Sequence, residues 1–177
     1  MTDSIVLLQA GHTPRLSRLL DFALADTQVE RADLQQLEAM ALQGRRVLIA
    51  LTTGAGGMSL EAFSLLQSLR THPDCLRGAV GALLVDGDGE LYTKQAAQAV
   101  ALAANLAGCL FPGKPLVEGT GSMYNQHILA RQLDLPWEET YFTRARELVG
   151  RLAQFTAPRF SRPRVLMLHA SDNRRSN

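Results

Sequence analysis

Short apolar bursts rich in β-branched residues alternate with longer segments of helical spacing along most of this chain, and that alternation restricts the folds open to it. Strands that alternate with helices pack as βα units around a parallel sheet. The bursts lie at residues 5–9, 46–51, 80–85, 115–118 and 164–169. Each is continuous rather than alternating in polarity, as strands covered on both faces should be. Between them, Leu16, Leu19, Leu20 and Ala23 mark one helical face, and Leu60, Phe63, Leu66 and Leu69 mark another at spacings of three. Residues 95–107 are rich in Ala, Val and Leu and predict a buried helix. Residues 122–133 and 138–155 also read as helical, separated at Leu135-Pro136, since the residue before proline resists the helical conformation. Residues 28–32 predict a short strand, followed by a helix from Asp33, whose side chain suits an N-cap, to Leu42. The expected architecture is α/β, a three-layer, doubly wound parallel five-stranded sheet.

The 177 residues suit one domain, since a single core serves roughly 100–200 residues. Residues 1–160 are expected to form it, with 161–177 an extra strand and basic tail, the possible start of a second such domain. Eighteen basic against 17 acidic residues leave no surplus of positive charge for gripping nucleic acid or an acidic membrane. Cys75 and Cys109 are too few for a disulfide framework, and the first residues lack the basic start and long apolar stretch of a signal peptide. A cytoplasmic protein is expected. A bilayer span needs about 20 apolar residues in a row, and Gly and polar residues interrupt every apolar segment before that. Catalysis, small-ligand binding and protein association remain.

Ligands of open parallel sheets bind beyond the carboxyl ends of the strands, near the point where strand order reverses. Here those ends carry Ala10-Gly11-His12-Thr13, Thr52-Thr53-Gly54-Ala55-Gly56-Gly57, Asp86-Gly87-Asp88-Gly89 and Gly119-Thr120-Gly121-Ser122. Glycine lets backbone N–H groups approach a ligand closely, so four such loops at one rim point to a shared pocket. The alternative is that βα turns use glycines and cap residues in any protein of this class.

The first strand running into Gly11-His12-Thr13-Pro14-Arg15-Leu16-Ser17, the loop 53–59, and Val85-Asp86-Gly87-Asp88-Gly89 followed by Tyr92 resemble the flavodoxin-like superfamily, and within it the NAD(P)H-dependent FMN reductases. The resemblance implies FMN as cofactor, NAD(P)H as electron donor and a homodimer. It implies that Gly11, His12, Thr13, Arg15 and Ser17 hold the phosphate, with hydroxyls from Thr13 and Ser17 and a cation from Arg15, at a helix N-terminus. Thr53, Gly54, Ala55, Gly56, Gly57 and Met58 would flank the ring on one side and Asp86, Gly87, Asp88 and Gly89 on the other, with Tyr92 stacking. This chain places an imidazole, His12, where the family has small hydroxyl residues. Pro14 removes one N–H from the loop and equally suits the first position of a helix capped by Thr13.

The end of the chain resembles the start of such a domain. The run Ala170-Ser171-Asp172-Asn173-Arg174-Arg175-Ser176-Asn177 follows an apolar burst and is similar to the reductase pattern Gly-Ser-x-Arg-x-x-Ser-Asn. The resemblance makes Ser171, Arg174, Ser176 and Asn177 a second set of phosphate ligands, in a tandem protein of which this would be the amino-terminal half. A polar tail on a last strand is the other reading.

Elsewhere the residues favour structural roles. Asp86 and Asp88, interleaved with glycines, read as a tight turn rather than a carboxylate pair. Glu118 is a charge at the end of an apolar strand and calls for a partner or a cleft. Cys75 and Cys109 read as small core residues, and His12, His72, His127 and His169 show no metal-binding spacing. Gly121-Ser122 lacks the frame of a nucleophile elbow, which leaves a hydrolase using Ser122 or His12 as a distant third reading. The first is an FMN-binding, NAD(P)H-dependent oxidoreductase whose partners are small molecules, with neither nucleic acid nor membrane. The second is a non-catalytic domain of the same fold that lacks flavin and serves dimerisation or partner binding.

Overall fold

Continuous apolar strands demand cover on two sides, and the sheet receives it from helices on both faces. The computed structural model describes residues 4–33, 42–54, 56–88, 90–120, 134 and 136–155. The expected helices over 34–41 and 122–133, the strand 164–169 and the loop Ser171, Arg174, Ser176 and Asn177 lie outside the described residues, as do Ala55 and Gly89.

Strands β1 (Ile5–Ala10), β2 (Val29–Ala32), β3 (Arg46–Gly54), β5 (Val80–Asp88) and β6 (Leu116–Thr120) run parallel in the order β2-β1-β3-β5-β6. A two-residue strand β4 (Gly57–Met58) turns back antiparallel onto the end of β3. The order reverses between β1 and β3, because the chain steps outward to β2 and then crosses back over β1. The helices among the described residues are α1 (Pro14–Leu24), α2 (Leu60–Thr71), α3 (Glu90–Leu106) and α4 (Trp137–Gln154). None of them is long and apolar enough to cross a membrane.

Side chains alternate across each strand and sort the core into two layers. Val6, Leu8, Val47, Ile49, Leu51, Leu83 and Val85 pack with Leu65, Leu66 and Leu69 of α2 and with Ala96, Val100, Ala103 and Ala104 of α3. Ile5, Leu7, Leu48, Ala50, Ala82 and Leu84 pack with Leu16, Leu19 and Leu20 of α1 and with Tyr141, Ala145, Leu148 and Leu152 of α4. Each fully buried Leu or Ile contributes about 1.5–3 kcal/mol, so this two-sided burial dominates the stability of the fold. The small residues of α3 bring it close to the sheet, as its composition predicts.

Three expectations are corrected. The spacing of three in α2 does not define one face, because each step of three falls about 60° short of a full turn. Leu66 and Leu69 are buried, while Leu60 and Phe63 face outward at 86 % and 57 % exposure, and Ala62 and Leu65 take their place. β3 and β5 run on through polar residues to Gly54 and Asp88, so Thr53, Gly54, Asp86, Gly87 and Asp88 belong to strands and not to turns. Consequently α3 begins at Glu90, earlier than the apolar run suggests.

The carboxyl rim of the sheet

The polar extensions of β3 and β5 place Thr52 opposite Asp86 and Thr53 opposite Gly87, while Gly87 and Asp88 face Gly119 and Thr120 of β6. Gly11, just beyond β1, sits against the same end of β3. With φ at +88°, it adopts a conformation that suits glycine, and a Cβ there would stand 2.4 Å from Thr52 Cγ2 and 3.3 Å from Ser59 Oγ. The strand-end segments thus converge on one rim, across the reversal of strand order.

The segment after β3 forms a small hairpin. Thr53 pairs with Met58 and Gly54 with Gly57, and Met58 is half-buried against the core. Gly57 has φ at +110°, and its missing Cβ would lie 3.6 Å from the ring of Tyr92, which is 38 % exposed. Gly54 and Gly56 have nothing within 4 Å of a notional Cβ. The hairpin therefore offers open backbone beside an aromatic wall. The hydroxyls of Thr52 and Thr53, on opposite faces of β3, are buried and make no hydrogen bond among the described residues. A buried hydroxyl left without a partner costs roughly 1–3 kcal/mol, so this pair is the least satisfied polar spot of the rim.

The first loop is built differently. Thr13 caps α1, its Oγ1 accepting from Leu16 N at 3.0 Å, and Pro14 occupies the first helical turn without an N–H. His12 is held between two neighbours: Gln9 Nε2 lies 2.8 Å from its Nδ1, and Ser17 Oγ lies 3.4 Å from its Nε2. Gln9 Nε2 also donates to Gly11 O at 3.2 Å, and Arg31 Nη1 donates to Gln9 Oε1 at 3.2 Å. The amide nitrogen of Gln9 thus lies between Gly11 O and the His12 ring and ties the loop to β1.

Arg15 turns away from the loop. Its Nε donates to Asp86 Oδ2 at 3.0 Å, its Nη2 reaches Oδ1 at 2.7 Å, and Nη2 also donates to Gly87 O at 3.2 Å. Tyr141 of α4, wholly buried, donates from its hydroxyl to Asp86 Oδ1 at 3.3 Å. A guanidinium matches a carboxylate in two parallel bonds, so a bidentate pair on a carboxylate that is 1 % exposed ties α1, β5 and α4 together. Asp86 is therefore neither a turn residue nor a wall of the rim.

The candidates fall into two groups. Gly11, His12, Thr13 and Ser17 share the first loop with Arg15, while Thr53, Gly54, Gly56, Gly57, Met58 and Tyr92 make the hairpin side. For Asp88 the backbone register alone is described, as it is for Glu118, opposite Asp86. Sequence reasoning missed Gln9, Arg31 and Tyr141. Gln9 carried a signal, being the polar residue in an otherwise apolar strand. Arg31 and Tyr141 carried none, because their partners are distant in the chain. A cavity of about 360 Å³ opens on the β2 side of the first loop, lined by Leu7, Gln9, Gly11, His12, Arg31, Ala32 and Glu61.

The two cysteines lie at the opposite end of the sheet from the rim. Cys109 is buried and its thiol is pushed up to about 12, first by loss of solvent and then by Cys75. Burial likewise raises Cys75, which packs at the edge of the core. Both keep their protons at neutral pH and act as small apolar residues.

The residues of the hairpin side fit the flat ring of a flavin, through open glycine backbone and the ring of Tyr92 beside Gly57. The first loop does not fit the phosphate in the way the family resemblance implies, since its cation, Arg15, is held by Asp86. No family model matches the chain, and no curated protein sequence matches it. Solved structures do. A flavodoxin from Streptococcus pneumonia TIGR4 aligns with a TM-score of 0.58 and 15 % identity over 84 % of this chain and 97 % of its own. Oxidised Flavodoxin 2 from Bacillus cereus aligns at 0.57 and 16 % over 85 % and 97 %. A short-chain flavodoxin associated with a non-canonical PDU bacterial microcompartment aligns at 0.55 and 16 % over 86 % and 99 %. Strand order, the two helical layers and these alignments together show that the chain has the flavodoxin-like fold.

Proposed function

We propose that the chain binds a flavin at the carboxyl rim of its sheet and transfers electrons through it, with NAD(P)H as donor and a homodimer as the working unit. The observation that carries this reading is the glycine hairpin of β3 and β4, open above Gly54 and Gly56 and walled by Tyr92, at the reversal of strand order. In doubly wound sheets that reversal is where ligands lodge. The flavin would supply the redox chemistry, and no side chain is needed as an acid or base for it. The chain's own contribution is to orient and shield. Tyr92 supplies an aromatic ring beside Gly57, and the glycines present backbone without side-chain obstruction. Titration of the protein into FMN, read by flavin fluorescence, tests the proposal: quenching with Kd at or below about 10 μM is expected. Tyr92→Ala, on a partly exposed side chain, should weaken it about tenfold while leaving the far-UV spectrum unchanged.

One observation favours the second reading, a flavin-free domain that serves association. The cation of the first loop, Arg15, is held by Asp86, which withdraws the strongest donor a phosphate would use there. Absence of quenching up to about 100 μM, together with a concentration-dependent mass in sedimentation, would select it.

A further inference from the structure

We infer that the flavin site does not read the ligand's phosphate, because Asp86 withholds Arg15 from it, so that a flavin without phosphate binds about as well as FMN. This deepens the flavin reading above and rests on it. Arg15 stands in the first turn of α1, where a guanidinium would naturally reach an anion at the helix N-terminus. Its side chain is instead 21 % exposed and folded back onto a carboxylate that is 1 % exposed, in a two-point contact at 3.0 and 2.7 Å. The same guanidinium holds the carbonyl of Gly87. The two charges cancel inside the protein, and the rim gains no net cation from the pair. To turn toward a phosphate, Arg15 would give up both contacts to a buried carboxylate and its bond to the Gly87 carbonyl, exchanging one anion for another with a loss of burial.

The rest of the loop offers weaker donors in its place. Pro14 contributes no N–H, the Leu16 amide is bound by the Thr13 hydroxyl oxygen, and Ser17 and Gln9 lie against the His12 ring. Neutral hydroxyl and amide donors and the partial positive charge of a helix N-terminus hold an anion less strongly than a guanidinium does. Recognition then falls to the hairpin side, where the ring alone is touched.

The test compares riboflavin with FMN, both titrated by fluorescence quenching against the intact chain. The ratio of the two Kd values should lie within about threefold of one, and FMN binding tighter than riboflavin by more than about threefold overturns the inference while leaving the flavin reading intact. Absence of quenching by either flavin overturns both. Asp86→Asn removes the charge that holds Arg15, and a folded variant should shift the ratio toward FMN by about tenfold. A folded variant with the wild-type ratio overturns the role given to Asp86, and if Asp86→Asn does not fold, the wild-type ratio decides.

Discussion

Asp86 keeps its charge at 1 % exposure because Arg15 meets it at two points and Tyr141 at a third. Removing one partner of such a pair leaves an uncompensated buried charge, so Arg15→Gln should destabilise the fold by about 3 kcal/mol in urea unfolding. The double variant with Asp86→Asn should recover part of that loss, and a single-variant effect below about 0.5 kcal/mol would mean the pair behaves as a surface contact. The glycines make a sharper contrast. A Cβ at Gly87 would stand 2.1 Å from Thr53 Oγ1 and 2.5 Å from Thr53 O, and backbone cannot yield as a side chain can. Gly87→Ala should therefore cost about 3 kcal/mol or more, whereas Gly54→Ala, with open space around it, should leave stability within about 0.5 kcal/mol of wild type. Residue types at the rim were legible in the sequence, but their reasons were not. Gly87 is there for a close approach to β3 and not for a turn, and the partner of Arg15 lies 71 residues away, beyond any local pattern.

The thiol of Cys109 carries a pH dependence with a definite sign. Its pKa rises from 9.0 in an open setting to about 12 in the fold, so folded and unfolded chains both hold the proton below pH 9. Above that, the unfolded chain ionises first, and stability is lost progressively as pH rises from 9 through 12. Urea midpoints of wild type and Cys109→Ala should fall less steeply over that window in the variant. Equal slopes would remove Cys109 as the cause.

Among the elements, α1 is the one whose sequence and structure agree most fully. Leu16, Leu19, Leu20 and Ala23 follow the helical repeat and all four are buried, Thr13 caps the start, and Pro14 sits in the first turn. Loss of the cap bond in Thr13→Ala should lower stability by about 1 kcal/mol, measured by chemical unfolding. If that variant also lost flavin affinity more than its stability explains, Thr13 would have a ligand role beyond the cap. The seam between α1 and α4 was not legible. Phe22 and Phe142 meet at 5.7 Å between ring centroids, the Arg146 guanidinium lies 5.4 Å from the Phe22 centroid, and Arg146 also pairs with Asp26. Each contact joins residues about 120 positions apart. The hairpin strand β4 was equally hidden, since two residues give no period, and Gly57 with its positive φ sets it.

For the molecule as a whole, the apolar bursts located the strands because burial on both faces writes itself as continuous hydrophobicity. β2 is the exception that reveals the rule. Its four residues, Val29–Ala32, are half-buried or exposed and form no continuous apolar run, yet it pairs in parallel with β1 and occupies the edge of the sheet among the described residues. The same difference should govern dynamics. β1, β3 and β5 are flanked by strands on both sides and covered above and below, so their amides open with the global unfolding of the domain. Among the described residues β2 has β1 on one side and half-buried or exposed side chains, so it can separate while the rest of the sheet stays closed. Hydrogen exchange followed by mass spectrometry or NMR should find amides of β1, β3 and β5 at least about tenfold slower than those of β2. Uniform protection across the four strands would show that β2 unfolds with the core, and that the edge of the sheet is held by more than its pairing to β1.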